Sequence, residues 1–148
     1  MNQPVPAGPG EGLLRADLAA TAVLVATSAA AAAAPDALGL VHAVVSCVAF
    51  VVGALAYLWA FSLGVNRSRT ELVTMGGLFF AAGDVAPRPV QLRLWGALAA
   101  QVVAVVVAAS VRPYTEVAFG VLAPLLGLGL CALWSGRHGS FPERADTP

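Results

Sequence analysis

The sequence predicts an all-α integral membrane protein that has four transmembrane helices and both termini in the cytoplasm. Three observations predict this fold: an apolar composition, four long stretches nearly free of charge, and arginines that flank these stretches asymmetrically. Hydrophobic residues make up 59% of the 148 residues and charged residues only 11%, whereas soluble domains carry about a quarter charged residues. The lipid bilayer is therefore the first predicted partner, because acyl chains accommodate that much apolar surface.

Four stretches have the length of membrane spans, since a helix needs roughly 18 to 20 residues to cross about 30 Å of hydrocarbon. We predict spans at residues 16–34, 41–65, 93–111 and 116–135. The first span is mostly alanine, and its small residues Ala32 to Ala34 match the cleavage pattern of a signal peptide. The sequence alone leaves open whether this span is a retained helix or a cleaved signal peptide.

Both ends of the chain are predicted to be disordered cytoplasmic tails. Residues 1–12 interleave proline with glycine, which excludes a continuous helical hydrogen-bond ladder. Residues 137–148 are polar. Residues 13–136 between the two tails form one transmembrane domain.

The arginines determine the predicted orientation, because basic residues beside short loops are retained on the cytoplasmic side. With the amino terminus inside, only Arg112 is external. The remaining arginines are all cytoplasmic: Arg15, Arg67, Arg69, Arg88, Arg93, Arg137 and Arg144.

Tryptophan gives an independent indication of the same interface, since indole prefers the headgroup region, where its ring is half buried and its N–H is hydrated. All three tryptophans fall at the predicted cytoplasmic interface. We expect the spans to be anchored there by Trp59, Trp95, Trp134, Arg67, Arg69, Arg93 and Arg137.

An apolar segment at residues 69–83 lies between the second and third spans. As a helix it covers only about 20 Å, which is too short to cross the bilayer. Ser68 and Glu71 have the spacing of a capping box, which predicts a helix start at this point. We expect an interfacial helix along the cytoplasmic leaflet; the alternative is a re-entrant hairpin that turns at Gly76 and Gly77.

Small residues in the spans predict close helix packing. On the third span they repeat every four positions and form a ridge along one face: Gly96, Ala100, Ala104 and Ala108. Gly53 in the second span and Ala123 with Gly127 in the fourth predict similar contacts. The pattern does not distinguish packing within the chain from packing between copies or against another subunit.

Two further residues are expected to shape this packing. Gln101 is the one strongly polar side chain well inside a span, and interhelical hydrogen bonds of such amides fix helix rotation. We expect its amide to meet backbone groups level with Gly53 and Gly129. Pro124 removes the donor for the carbonyl of Gly120, which predicts a bend in the fourth span.

Candidate reactive residues are few. No ionisable side chain is predicted at the middle of a span, where such groups mark ion or proton paths. His42 is expected to pair with Asp36 at the external end of the second span. Cys47 and Cys131 are expected to be free thiols at different depths.

We predict no enzyme activity, catalytic residue, cofactor or metal site. The balanced charge predicts no nucleic-acid partner.

Three short runs lie at predicted helix ends: Asn66 to Arg69, Val111 to Tyr114 and Gly136 to Gly139. Through these runs, residues 66–141, about half of the chain, resemble an uncharacterised family of small multi-pass membrane proteins from actinobacteria. The resemblance implies a multi-pass membrane fold and assigns no activity.

Together these observations predict a non-catalytic accessory or assembly subunit that packs against a membrane-protein partner or against copies of itself. The alternative is a small transporter or channel component that acts as a homo-oligomer, since four alanine-rich helices enclose little volume. The chain contains no lysine and no isoleucine, which is typical of GC-rich genomes. We therefore expect the plasma membrane of a GC-rich bacterium.

Overall fold

The computed structural model describes residue 8 and residues 10–144. In this part of the chain the α-helices are α1 (Glu11–Ala33), α2 (Pro35–Arg67), α3 (Met75–Phe80), α4 (Arg88–Val111) and α5 (Leu125–His138). Short 3-10 segments, Gly83–Val85 and Glu116–Leu122, precede α4 and α5. No β-strand occurs among the described residues, whose single β contact is an isolated bridge between Glu71 and Glu143.

Four helical stretches are long and apolar enough to cross a membrane: α1, α2, α4 and the composite stretch Glu116–His138. This finding confirms the predicted all-α membrane fold with four spans. Each helical stretch is longer than the span that predicted it, because charge-free stretches mark only the part inside hydrocarbon, whereas a helix continues through its polar flanks. In α2, for example, Pro35 occupies the first turn, a position that favours proline.

Successive spans run in opposite directions, so α1 and α4 begin where α2 and α5 end. We call this end the basic end, because the elements there carry the seven arginines that were predicted to share one side. Arg93 at the start of α4 lies 3.6 Å from Glu11 at the start of α1. At the opposite end, Arg112 donates from Nε to the carbonyl of Ala32 at 3.0 Å.

The most extensively packed pair is α2 with α5. Along α2 the buried face carries mainly small residues three or four positions apart: Gly39, Ala43, Ser46, Ala49, Gly53, Ala56, Ala60 and Gly64. At Gly53 a Cβ atom would lie 2.5 Å from the carbonyl carbon of Leu125. Gly129 of α5 lies against the Gly53 carbonyl from the other side. Glycine at both positions lets the two backbones touch.

The segment between α2 and α4 differs from the prediction. Thr74, rather than Ser68, caps its helix, because the Thr74 hydroxyl accepts a hydrogen bond from the Gly77 amide at 3.0 Å. Glu71 does not complete a capping box but binds Arg67, since a charge-assisted pair with guanidinium is stronger than a bond to a neutral amide. The predicted helix over the whole segment is wrong in its start and its length, because α3 has only six residues.

Helix α3 covers the basic end of the bundle with one face. Leu78 packs on Gly64 of α2, and the ring of Phe79 stacks on Tyr57 with centroids 4.4 Å apart. Met75 lies on the other face and is exposed. Tyr57 lies ten residues before the end of α2, so α3 packs beside the long helices near the basic end.

The carboxyl-terminal tail is ordered over much of its length. Helix α5 includes the first residues of the predicted tail, and beyond it Pro142 accepts a hydrogen bond from the amide of Leu72 at 2.8 Å. Disorder is therefore a wrong prediction for residues 137–144. Residues 145–148 lie outside the described part of the chain.

At the amino terminus, residues 1–7 and residue 9 lie outside the described part. Residues 11 and 12, which were also assigned to a disordered tail, form the first turn of α1. Gly10 precedes this turn in the left-handed conformation, with a φ of 78°. Glycine adopts that conformation without the steric cost of a Cβ atom.

The fourth span is not a single bent α-helix. Seven residues in 3-10 conformation come before Pro124, and α5 begins directly after it. The carbonyl of Gly120, which was predicted to lose its donor, accepts a hydrogen bond from the Ala123 amide at 3.0 Å. The tighter 3-10 turn thus pairs a carbonyl that proline would leave unpaired in a regular α-helix.

Candidate functional site

Three polar side chains from two helices meet inside the bundle, and we call them the inner polar cluster. Asp17 and Thr21 lie one turn apart on α1, and Gln101 faces them from α4; their exposed fractions are 2%, 8% and 0%. Nε2 of Gln101 donates to Oγ1 of Thr21 at 2.7 Å and to Oδ1 of Asp17 at 3.3 Å. The Thr21 hydroxyl donates to the backbone carbonyl of Asp17 at 2.8 Å.

The amide of Gln101 also lies against α5. A Cβ atom at Gly127 would be 2.7 Å from Oε1 of Gln101, so the glycine makes room for the amide. This oxygen is buried and has no hydrogen-bond partner among the described residues. The expectation that Gln101 meets backbone groups near Gly53 and Gly129 is wrong, because the helix carbonyls are already paired whereas the side chains of α1 offer acceptors.

Asp17 forms no ion pair within the described residues. Arg15 and Arg93, the nearest arginines along α1 and α4, both bind Glu11, at 3.4 and 3.6 Å. The Asp17 carboxyl group lies six residues into α1, about 9 Å along the helix axis. Its neighbours are the neutral amide of Gln101 and, from α5, the thiol of Cys131.

A second group of polar side chains, the outer polar cluster, lies nearer the opposite end of the bundle. It consists of Thr27, Ser28, His42 and Ser46. Nδ1 of His42 lies 3.4 Å from Oγ1 of Thr27. Three polar atoms of this cluster are buried and lack a partner among the described residues: Oγ of Ser28, Nε2 of His42 and Oγ of Ser46.

His42 does not pair with Asp36, so that prediction is wrong. The imidazole is completely buried and lies directly against Gly120, where a Cβ atom would be 2.5 Å from Nε2. The reason is the phase of α2: His42 falls on the buried face with Gly39 and Ser46, whereas Asp36 falls on the exposed face.

An apolar layer separates the two polar clusters. It consists of four buried residues, one from each span: Leu24, Ala49, Val105 and Ala123. The order along the chain locates it, since Leu24 lies between Thr21 and Thr27 on α1, and Ala123 lies between Gly120 and Gly127. The polar groups therefore occupy two levels, with this apolar layer between them.

A cavity of about 660 Å³ opens at the basic end. Its lining includes Glu11, Leu14, Arg93, Trp134 and His138. Leu14 lies three residues before Asp17 on the buried face of α1. The cavity thus ends about one helical turn, roughly 5 Å, from the inner polar cluster.

The small-residue ridge of α4 is largely not part of the packing within this chain. The buried face of α4 carries Leu94, Ala97, Gln101, Val105 and Ala108. Of the ridge, only Ala108 lies on that face, packed against Ala31 and Val117. Gly96 and Ala100 are exposed and Ala104 is half buried. An added Cβ atom at Gly96 would meet no atom within 4 Å.

The predicted tryptophan anchors fall into two groups. Trp59 and Trp95 are about half exposed. The guanidinium carbon of Arg137 lies 4.4 Å from the centroid of the Trp59 ring. Nε1 of Trp95 donates a hydrogen bond to the Phe80 carbonyl at 2.6 Å. Trp134 is only 2% exposed. It is therefore not exposed as an anchor for lipid headgroups, because the fourth span is the most deeply buried of the four.

The predicted arginine anchors also differ from one another. The guanidinium group of Arg67 donates hydrogen bonds to Glu71 and to the backbone carbonyls of Gly136 and Gly139. Arg93 is half exposed beside Glu11. Arg69 and Arg137 lie on the surface, where they remain accessible to headgroups.

The sequence did not reveal either polar cluster, because Asp17 of the inner cluster precedes the first uncharged stretch and His42 of the outer cluster lies near the start of the second. Both were therefore assigned to span ends. Neither lies at the middle of a span, but both are buried inside the bundle. A signal did exist in the sequence: Leu14, Asp17, Thr21, Leu24 and Ser28 recur every three or four residues. This spacing puts the polar residues on the same face as the leucines.

The fold defines the class of this molecule: an all-α, multi-pass integral membrane protein with four spans. No protein-family model, no curated protein and no solved structure matches the chain. Among the described residues there is also no group of three or more His, Cys, Asp or Glu side chains that could hold a metal ion.

Proposed function

We propose that the protein is a non-catalytic subunit of a bacterial plasma membrane that packs against other membrane helices through α4. The observation that supports this function is the uncovered ridge of Gly96, Ala100 and Ala104. Beside it runs an apolar groove of about 420 Å³ between α1 and α4, whose lining includes Val25, Ala29, Val103 and Val107. Small residues beside a groove allow a further helix to approach closely.

The proposed orientation has the basic end in the cytoplasm, with both termini inside. Seven of the eight arginines on one end support it through the positive-inside rule. The test places a single cysteine at exposed Ser140 after replacing Cys47 and Cys131 by serine. A membrane-impermeant maleimide should label it in inverted vesicles and not in intact cells, and labelling in intact cells would overturn the orientation.

The packing proposal is tested by photo-crosslinking in native membranes. Benzoylphenylalanine placed at Val103, which is exposed beside the ridge, should form one adduct of discrete mass. The same probe at Val51, exposed on α2, should form none. If position 103 also gives no discrete adduct, the ridge is only a lipid-facing surface and the proposed function fails.

A blocking variant makes this test specific. Ala100→Trp fills the ridge on the exposed side of α4, where it does not disturb packing within the chain. It should abolish the adduct from position 103, whereas Val51→Trp should leave that adduct unchanged. An adduct that survives Ala100→Trp would show that contact does not depend on the ridge.

A second candidate function, a small transporter or channel component acting as a homo-oligomer, is favoured by one specific observation. Asp17 and His42 are buried in the spans, and ionisable side chains at such depth often belong to ion or proton paths. In this case the adduct from position 103 should have twice the mass of the chain. The purified protein should also change solute flux in liposomes, and neither result is expected for a hetero-oligomeric accessory subunit.

A further inference from the structure

We propose that the inner polar cluster of Asp17, Thr21 and Gln101 is a reversible proton-binding site that is loaded from the cavity at the basic end. The proposal does not depend on the ridge of α4 or on the identity of a partner. It follows from the burial of the Asp17 carboxyl group, the neutrality of its neighbours and the position of the cavity.

No cation among the described residues compensates a negative charge on Asp17. Asp17 is 2% exposed, and among the described residues its carboxyl group accepts a side-chain hydrogen bond from the neutral amide of Gln101. A carboxylate in a membrane interior needs a cation or several hydrogen bonds, and otherwise the carboxyl form is favoured. The cluster therefore has a reason to take up a proton.

Few other ionisable groups lie on the elements that pack around Asp17. On α1 itself, Glu11 binds both Arg15 and Arg93, so neither arginine neutralises Asp17. On α5 the ionisable groups are the buried thiol of Cys131 and, in the last turn, Arg137 and His138.

The ionisable groups of the remaining packed elements are more distant. His42 of α2 meets α1 at Thr27, which lies ten residues, about 15 Å, beyond Asp17. Glu116 of the 3-10 segment lies near Gly39, at the opposite end of the bundle. Glu11 and His138 also line the cavity at the basic end, so the test must assign the titrating carboxyl group to Asp17 by substitution.

The amide of Gln101 can form a hydrogen bond with either state of the Asp17 carboxyl group, ionised or protonated. Nε2 donates to Oδ1 of Asp17 at 3.3 Å, as the ionised form requires. Oε1 is buried and unpartnered among the described residues, and rotation of the amide would bring this acceptor to a protonated Asp17. Gly127 provides the space beside the amide.

The route for the proton is the cavity beside Glu11 and Trp134. Leu14 lines this cavity and lies one turn from Asp17, whereas the apolar layer around Leu24 and Val105 blocks the opposite direction. In the loading step, a hydronium ion passes Leu14 from the cavity, forms a hydrogen bond with the Asp17 carboxylate, transfers one proton to it and leaves as water. No other bond is formed or broken.

The test is infrared difference spectroscopy of the purified full-length protein in lipid vesicles, titrated with acid and base. The wild type should show a protonated-carboxyl C=O band that disappears reversibly as pH rises. Asp17→Asn, which is nearly isosteric, should lose this band entirely, whereas Asp36→Asn, at an exposed site, should keep it. Circular dichroism checks that the variants remain folded.

The variant Gln101→Leu tests the hydrogen bond between the Gln101 amide and Asp17, since it removes the amide and leaves a side chain of similar volume. The Asp17 band should move to higher frequency, because a carboxyl group without a hydrogen-bond partner has a stiffer C=O bond. Superimposable wild-type and Asp17→Asn spectra at every pH would overturn the proposal. An Asp17 band that never responds to pH would overturn reversible binding, and a band unmoved by Gln101→Leu would overturn the role of the amide.

Discussion

The guanidinium group of Arg67 binds the carboxylate of Glu71 through two hydrogen bonds, Nε to Oε2 at 2.7 Å and Nη2 to Oε1 at 3.2 Å. The same group donates to the carbonyls of Gly136 at 3.2 Å and Gly139 at 2.8 Å. Its central carbon also lies 4.9 Å from the ring centroid of Phe141. One side chain at the end of α2 therefore holds the loop before α3 and the carboxyl end of α5 together.

The first prediction is that Arg67→Lys lowers the free energy of unfolding by about 2 kcal/mol, because an ammonium group cannot reproduce the planar fork that makes these contacts. The measurement is unfolding by SDS in mixed micelles, followed by circular dichroism. The variant should also be cut faster by trypsin after Arg144, since the chain around it loses its support.

The matched control is Arg69→Lys, two residues further along and exposed. It should change the free energy of unfolding by less than about 0.5 kcal/mol, as surface substitutions usually do. Equal losses in the two variants would mean that the contacts of Arg67 contribute no more than surface charge.

A second prediction concerns the crossing of α2 and α5. Gly53→Ala should destabilise the protein by about 1 to 3 kcal/mol, because the new Cβ atom would lie 2.5 Å from backbone atoms of Leu125 and Leu126. Gly96→Ala is the control, since its Cβ atom meets nothing within 4 Å, and alanine favours a helix by up to about 1 kcal/mol over glycine. The same unfolding assay should give opposite signs, and equal destabilisation would contradict the close crossing.

A third prediction concerns the junction of α3 and α4. Trp95→Phe removes the indole N–H that donates to the Phe80 carbonyl at 2.6 Å, and should lower the free energy of unfolding by about 1 kcal/mol. Phe80→Leu keeps this backbone acceptor and changes only a half-exposed ring, so it should have a smaller effect. A larger loss in Phe80→Leu would show that ring packing, rather than the hydrogen bond, holds the junction.

The four spans were predictable from sequence because the physics that determines them is local: a helix in lipid must pair its backbone internally and carry apolar side chains. The contacts of individual polar residues were not predictable in the same way. Arg67 was read as an anchor for headgroups, since its sequence neighbours do not reveal that Gly136 and Gly139 leave carbonyls within its reach.

The same limit applies to Trp134 and to the carboxyl-terminal segment. An indole near the end of a span is typical of an interface, and only the arrangement of α1 and α5 shows that Gly10 covers the ring of Trp134. The polar composition after α5 indicated disorder, yet Pro142 and Arg144 pair with the backbone near Leu72. Such pairing depends on long-range contacts that composition does not report.

The phase of a helix, by contrast, is readable from sequence, and His42 illustrates how it was missed. His42 lies at the start of the predicted span 41–65, which suggested an exposed imidazole. It also lies three residues after Gly39 and four residues before Ser46, and this spacing indicates the buried face of α2. The burial of His42 against Gly120 is therefore a consequence of helical geometry.

The last prediction tests this contact with a double-mutant cycle. Gly120→Ala places a Cβ atom 2.5 Å from Nε2 of His42, and should destabilise the wild type by about 2 kcal/mol, since a fully buried ring cannot easily move aside. In the His42→Ala background the same change should cost much less, giving a coupling energy above about 0.5 kcal/mol.

Gly39→Ala is the control, because its nearest neighbour, Oε2 of Glu116, would be at an ordinary contact distance of 3.5 Å. Additive effects of Gly120→Ala and His42→Ala would mean that the imidazole does not lie against this glycine, and that the outer polar cluster is arranged differently.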